Sequence, residues 1–570
     1  MKKDKSFDMP FDVAHLISYT PLYNEIKLSE FYSDLFISQE ELPNIERLVN
    51  QVFQEELLGY VVKSLEDVTG TTHNEEFWGI TVAPWLMWLV QTCYMNYTHL
   101  GKFVKRYGEQ ESSVVLLRDA PFILPPATST DLFRILQQRE FHVWVLSMYL
   151  QNSLPKNWTS GFREVEVITP YSAHISNWST LKKNVFKFLR NLRCTSDEIP
   201  LRWRIAFSLA LRLKKLNYGS EKGTLHGVEQ SDGKKCTLSE FTSITKLIID
   251  QCIPLWYRNG FLERYSAYAK RTYHPGFGRI VHSDTFNDED NFKKAFAIER
   301  GEVVFSVQHG GGYGIHKVFC LSPQSEYIGS EFITWGWRKH ESYQVNAVPL
   351  PSPSLSRLKA LRKRAKVGKK IIFVGTEMSF LRLRIHSKPI GPDWLNYREQ
   401  KVSFLSALSS IGYDNVYYRP GSRGTFRDYE FLQEVFPEIS ICNGSYKEFH
   451  RDLQSARLCI VDHPITTLHQ VLAMNIPTVA YWNPNHWKLS RQSITFFSEL
   501  EQVGIFHHSG EQAGRFVSDN FDRIEEWWNA DETQAARLRW CHVYARTSET
   551  WLRDWILALW FKKSNKSKKT

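Results

Sequence analysis

The clearest alternation of apolar and polar positions lies at residues 457–482. Arg457–Val461 is a short apolar run. Asp462, His463 and Pro464 follow, then the hydroxyl pair Thr466/Thr467. Leu468, Val471 and Leu472 repeat at helical spacing, Asn475 and Pro477 stop that helix, and a second apolar run covers Thr478–Tyr481. The pattern predicts strand–turn–helix–strand. Hydroxyls and backbone N–H groups collect at the helix N-terminus, where a phosphate is stabilised. Upstream, strands are predicted at Lys370–Val374, Asn415–Arg419 and Ile439–Cys442, and helices at Arg398–Ile411, Phe426–Phe436 and Ser445–Ser455. Helices at Phe496–Val503 and Gly510–Trp528 complete the series. Strand and helix alternating in this way predict a parallel sheet.

A second α/β signal precedes it. Arg279–His282 reads as a strand, Ser283–Asp284 as a cap region, Asp288–Arg300 as a helix and Glu302–Val307 as a strand that runs straight into Gln308-His309-Gly310-Gly311-Gly312-Tyr313-Gly314. A glycine-rich turn after a buried strand brings backbone close to a neighbour or ligand. Phe332–Trp335 is a further strand. Before residue 279 the pattern is mostly helical, with helices at Leu132–Asn152, Ser179–Leu192, Trp203–Leu216, Phe241–Trp256 and Leu262–Tyr268 and one strand at Val165–Ile168. Pro349–Pro353 and the basic run Arg357–Lys370 read as a linker. The expected division is 1–355 as an acceptor-side domain with helical additions, 356–370 as basic linker and 371–530 as a donor-binding domain. Residues 531–561 are expected as helices packing back on the first domain, and 562–570 as a basic tail. Phe77–Thr98 carries no charged residue and is long enough to span a bilayer, but Gly79, Pro84, Gln91, Thr92 and Asn96 dilute it, so it reads as a buried helix.

Composition narrows the class. The 570 residues are 42% hydrophobic and 23% charged, values of a globular chain with room for several domains. The eight cysteines are scattered with no CxxC pair, which is reduced, intracellular usage, and no metal-ligand cluster stands out. The N-terminus has no apolar stretch of the signal-peptide kind. A net charge of +10 favours an anionic partner. Basic charge alone does not indicate nucleic acid, for which no recognition motif is present.

VQHGGGYG (307–314), ITWGW (333–337), PLPSPSLS (349–356) and DHPITTLHQVLAMNIPTVAYW (462–482), with EEFWGITVAPWL (75–86), together resemble the transferases of bacterial O-antigen and surface-carbohydrate clusters. Two departures stand out. Gly79 occupies a place where the family pattern suggests Arg, and YYRPGSRG (417–424) replaces an RLYP-like element, keeping only Arg419 and Pro420. The resemblance implies an α/β, GT-B-like fold: two Rossmann-like domains facing a cleft, with a helical N-terminal elaboration. It implies transfer of a sugar from a nucleotide-activated donor to a growing surface polysaccharide or lipid-linked glycan. No metal or cofactor is expected, and the setting is cytoplasmic, peripheral to the inner face of the membrane.

In that frame catalysis is positioning and charge stabilisation. Thr466 and Thr467 would hold the departing phosphate, with Arg419 and Arg423 at the carboxyl end of a neighbouring strand. Gly310 and Gly311 would approach the donor, and Glu377 would face its hydroxyls. His463 with Pro464 resembles the His-Pro dipeptide of transferases that use CMP-activated acidic sugars. His309 is the candidate general base, its side chain titrating near neutrality, with Asp284 and Glu331 as alternatives. Trp551–Phe561 is expected to pack on the first domain, and the lysines of Lys562–Lys569 to meet an anionic membrane surface. Two other readings stay open: a CDP-polyol phosphate transferase on the same fold, and a non-catalytic glycan-binding or assembly protein.

Overall fold

The computed structural model describes residues 11–12, 37–164, 192–213, 216, 238–271, 273, 275–282, 287–377, 384–385, 393–421, 427–442 and 444–561. The strand expected at 165–168, nearly all of the helix expected at 179–192, Asp284, Arg423 and the tail Lys562–Lys569 lie outside these residues.

Three parallel sheets organise the described residues. A small one joins β1 (Phe11–Asp12), β2 (Ser112–Leu117) and β3 (Trp158–Arg163). A four-stranded sheet runs β4 (Gly278–His282), β5 (Val303–Val307), β6 (Glu331–Thr334) and β7 (Ala347–Pro349) in spatial order. A six-stranded sheet contains β8 (Ile371–Gly375), β9 (Val416–Pro420), β10 (Ser440–Ile441), β11 (Leu458–Val461), β12 (Thr478–Tyr481) and β13 (Phe506–His507). Its order is β10-β9-β8-β11-β12-β13. Purely parallel pairing needs crossovers, and the intervening helices supply them. The protein is thus an α/β chain with two large parallel sheets and N-terminal helices.

Helix α1 (Glu75–Tyr107, 33 residues) centres the helical layer. The Asn74 side chain caps it by accepting from the Phe77 amide at 2.8 Å, and Glu75, Glu76, Lys105 and Arg106 complement its dipole. Phe77–Asn96 is buried on every side because helices and the first α/β unit surround it. Among the described residues no helix is long and apolar enough to cross a membrane. Helix α2 (Leu201–Leu213) lies against the four-stranded sheet, and α3 (Asp288–Glu299) ties that sheet to α1 through Phe292 and Phe296.

Residues 353–364 of the expected linker form α4 (Pro353–Arg364). Ser352 caps it, Pro353 opens it, and Leu355 and Leu358 point into the core. The other helices that matter here are α5 (Asp393–Ala407), α6 (Thr466–Met474), α7 (Asp531–Tyr544) and α8 (Trp551–Phe561). Helix α8 returns to the four-stranded sheet. It buries Trp555 and Leu559 with Phe207, Ile280 and Val348, and the Trp555 indole donates to the Pro351 carbonyl at 2.8 Å.

Candidate functional site

The carboxyl ends of the two large sheets meet. From β5 the chain enters Gln308–Gly314, and from β11 it enters Asp462–Ile465 and then α6. The Gly311 amide donates to the Thr466 hydroxyl across this junction at 3.0 Å. Gly311 is glycine for a steric reason. A Cβ there would lie 2.5 Å from His469 Nδ1 and 2.7 Å from the Thr466 amide nitrogen. Gln308 fixes the turn from below. Its amide group donates to the Gly310 carbonyl at 2.8 Å and accepts from the Trp335 amide and the Trp337 indole at 3.0 and 2.9 Å. Gly336, between those tryptophans, holds φ at 133° and leaves no room for a side chain under the His542 carbonyl of α7.

Helix α6 starts after Ile465 with no side-chain cap; the Leu468 amide donates back to the Ile465 carbonyl at 3.0 Å, and Gly311 packs over the Thr466 amide. Thr466 accepts from Gly311 and keeps its hydroxyl proton to donate. The Thr467 hydroxyl has no hydrogen-bond partner among the described residues and is half-buried. His463 Nδ1 is 2.9 Å from Asp462 Oδ1. Asp462 in turn accepts from the Thr376 amide and hydroxyl at 2.7 and 2.8 Å. With its acceptor fixed, the His463 Nδ1 carries the proton and Nε2 presents a lone pair.

Behind this pair sits Lys401, wholly buried. Its ammonium donates to Asp428 at 2.8 Å and lies 3.9 Å from Asp462. Burial works against its charge, but Asp428, Asp462 and Glu377 around it keep its pKa above the ordinary lysine value.

On the opposite wall His309 is exposed, with Nδ1 3.1 Å from the Tyr313 hydroxyl, and that hydroxyl donates to Glu326 at 2.9 Å. The chain of bonds makes His309 Nδ1 a donor and leaves Nε2 to accept. The turn beyond is sewn to the second unit. Ser490 and Ser493 hydroxyls donate to the Gly314 and Ile315 carbonyls at 3.1 and 3.0 Å, and His316 stacks on Trp487 at 5.5 Å.

The expected residues divide accordingly. His309, Gly310, Gly311, His463, Thr466 and Thr467 come together at the junction. Glu377 is buried, and its two oxygens take the Tyr418 hydroxyl and the Asp428 amide, each at 2.9 Å. Arg419 donates to the Cys442 carbonyl at 3.2 Å and its guanidinium sits over Phe449. Glu331 opens β6, at the amino end of the sheet. Asp284 and Arg423 lie outside the described residues.

Three partners were missed: Asp462, which orients His463, and the buried imidazoles of His316 and His469. Burial drives their pKa values down to about 3 and about 4, so both are neutral under the glycine turn. Asp462 was legible as a carboxylate directly before a histidine at a strand end. His316 and His469 were not, because spacing does not show what covers a side chain.

Residues 22–559 match the model of the LIC12162 family transferases. The chain belongs to that family. No curated protein matches it. The solved structure of the wall teichoic acid polymerase TagF aligns with 8% identity and a TM-score of 0.27, covering 52% of this chain and 84% of that one. At that TM-score the likeness carries no argument about the fold or the site. Transferase is therefore the activity class that the family supplies. Among the described residues no group of three His, Cys, Asp or Glu side chains gathers as a metal site.

Proposed function

We propose that the chain is a glycosyltransferase that takes a sugar from a nucleotide-activated donor and passes it to a surface polysaccharide or lipid-linked glycan. The observation that carries this reading is the bond from Gly311 to Thr466. It joins the carboxyl-end turns of two parallel sheets, where α/β proteins bind ligands, and it sets an exposed histidine opposite an uncapped helix N-terminus.

The α6 amides and the Thr466 and Thr467 hydroxyls hold the leaving phosphate as its charge develops. His463, oriented by Asp462, lies in the same turn and presents Nε2 toward the donor. His309 Nε2 takes the proton of the attacking acceptor hydroxyl, while the Tyr313–Glu326 relay steadies the ring. Neither Glu377 nor Arg419 is needed for contact in this scheme, and Asp284 is the next base to test if His309 is dispensable.

A thermal-shift panel of CMP, CDP, UDP, GDP and dTDP tests the reading. One nucleotide at about 100 times its dissociation constant raises stability by roughly 2.7 kcal/mol, and Thr466→Val/Thr467→Val cuts that gain by about half or more. Failure of every nucleotide to stabilise the protein sinks the donor reading and leaves glycan binding. A shift by CDP with transfer of a phosphate-bearing group assigns a polyol-phosphate transferase instead.

A further inference from the structure

Helices α2 and α8, far apart in sequence, form one outward face that the transferase reading does not use. Helix α2 buries Phe207, Ser208 and Leu211. At about 100° per residue Leu209 and Leu213 fall on the opposite side, where they are 58% and 84% exposed. Helix α8 buries Trp555 and Leu559, which turns Ile556 and Leu557 outward, and both are exposed. The helices are seamed by Phe207, whose ring stacks on Trp560 at 5.7 Å and meets Trp555 at 6.2 Å. The four aliphatic side chains therefore belong to neighbouring surfaces. A helix packed on a core ordinarily turns polar residues outward. Here both helices turn aliphatic ones.

The charge around the face is basic. Arg202, Arg212 and Arg553 are exposed on these helices. Nearby acidic groups are mostly neutralised: Asp197 by Arg204 at 2.6 Å and Glu549 by Lys363 at 2.5 Å, with Asp554 half-buried on α8. The sequence then places Lys562, Lys563, Lys566, Lys568 and Lys569 directly after α8. Trp203, Trp551 and Trp560 are half-buried at the margins, as suits rings with an apolar body and a polar edge. Apolar side chains rimmed by arginine and tryptophan complement an anionic lipid surface.

We propose that this face docks the protein on anionic phospholipid, with Leu209, Leu213, Ile556 and Leu557 entering the headgroup–acyl boundary and the arginines meeting lipid phosphates. The proposal is independent of the donor reading.

Flotation of the full chain with phosphatidylcholine–phosphatidylglycerol vesicles, and with phosphatidylcholine alone, tests it. The wild type should float with the anionic vesicles. Leu209→Glu/Leu213→Glu and, separately, Ile556→Glu/Leu557→Glu should each lower partitioning about tenfold or more. Leu247→Glu, at an exposed leucine of another helix, should change nothing. Melting temperatures should be unaltered, since all five sites are exposed. As a second readout, a polarity-sensitive dye on Leu213→Cys should shift to the blue on anionic vesicles. Wild-type partitioning by either double variant, an unshifted dye, or no wild-type binding would overturn the proposal. So would binding abolished by neutralising the tail lysines alone while the aliphatic variants bind normally. Self-association that the same substitutions abolish, without vesicle binding, would assign the face to a second copy of the chain.

Discussion

The six-stranded sheet carries its own core on both faces. Ile371, Phe373, Leu458 and Ile460 pack on one side, and Ile372, Val374, Cys459 and Val461 on the other, each against helices drawn mainly from the same stretch of chain. The four-stranded sheet does not. Ile280, Phe305, Val307, Ile333 and Val348 are covered by Phe207 and Leu211 from α2 and by Trp555 and Leu559 from α8. Its other side leans on α3 and, through it, on the helical layer around α1. One face of the six-stranded sheet is closed locally and the other shares its core with Tyr313, Phe332, Trp335 and Trp337 of the first unit, while the four-stranded sheet is completed by segments some distance away in sequence. The junction proposed as the donor site lies between them, and its His309 side rests on a sheet that α2 and α8 cover, contacts that the Thr466 side does not make.

The largest effect follows from removing that distant contribution. Trp555→Ala should cost about 3–5 kcal/mol, and hydrogen exchange should rise in β4–β7 well before it rises in β8, β11 and β12. Uniform loss of protection would mean that the two units do not differ as described. Next, His309→Asn should lower turnover about a hundredfold or more while nucleotide affinity holds, which separates acceptor activation on the first unit from donor binding on the second. A variant with wild-type turnover would move the base elsewhere. Gly311→Ala forces a methyl against His469 and Thr466. It should destabilise by about 1–3 kcal/mol and weaken activity by prising the two turns apart, and an unchanged melting temperature would show that the junction gives easily.

The smallest effect concerns Glu46, which fastens the helical layer to the first unit by accepting from the Phe319 amide at 3.1 Å and from the Tyr343 hydroxyl. Burial pushes its pKa from 4.5 up to about 7. The unfolded chain releases this proton near 4.5 and the folded one near 7, so stability falls as pH rises through that window. Glu46→Gln should remove up to about 1–3 kcal/mol of that slope, measured as melting temperature against pH. A slope identical to the wild type would assign the pH dependence to other groups.

The same contrast explains what the sequence disclosed. Strands β8, β11 and β12 were legible because buried parallel strands read as short continuous apolar runs, and the observed Ile371–Gly375 and Leu458–Val461 match the expected runs to within a residue. Strands β2, β3, β7 and β13 were missed. Strands β3, β7 and β13 lie at sheet edges, and β2, at the centre of the small sheet, pairs with β1 and β3, which are both distant from it in sequence.

The helix expected over 132–152 is two helices, Ser129–Leu136 and Arg139–Asn152, and the one over 510–528 is broken near Phe521. Apolar spacing continued across both breaks. The basic residues of 357–370 masked the Leu355/Leu358 spacing of α4. At the site, Thr466, His463 and His309 were legible as polar groups placed just after buried strands. Covering residues such as His469 depend on which turn arrives from the other unit.

In the proposed function the two carboxyl-end turns form one donor site at the start of α6. The most direct measurement is calorimetric titration of the full chain with the nucleotide that stabilises it, comparing wild type with Thr466→Val/Thr467→Val. The double variant should lose affinity about tenfold or more, in keeping with one or two lost hydrogen bonds to a charged group, with a melting temperature within a few degrees of the wild type. Undiminished affinity in a folded double variant would contradict it.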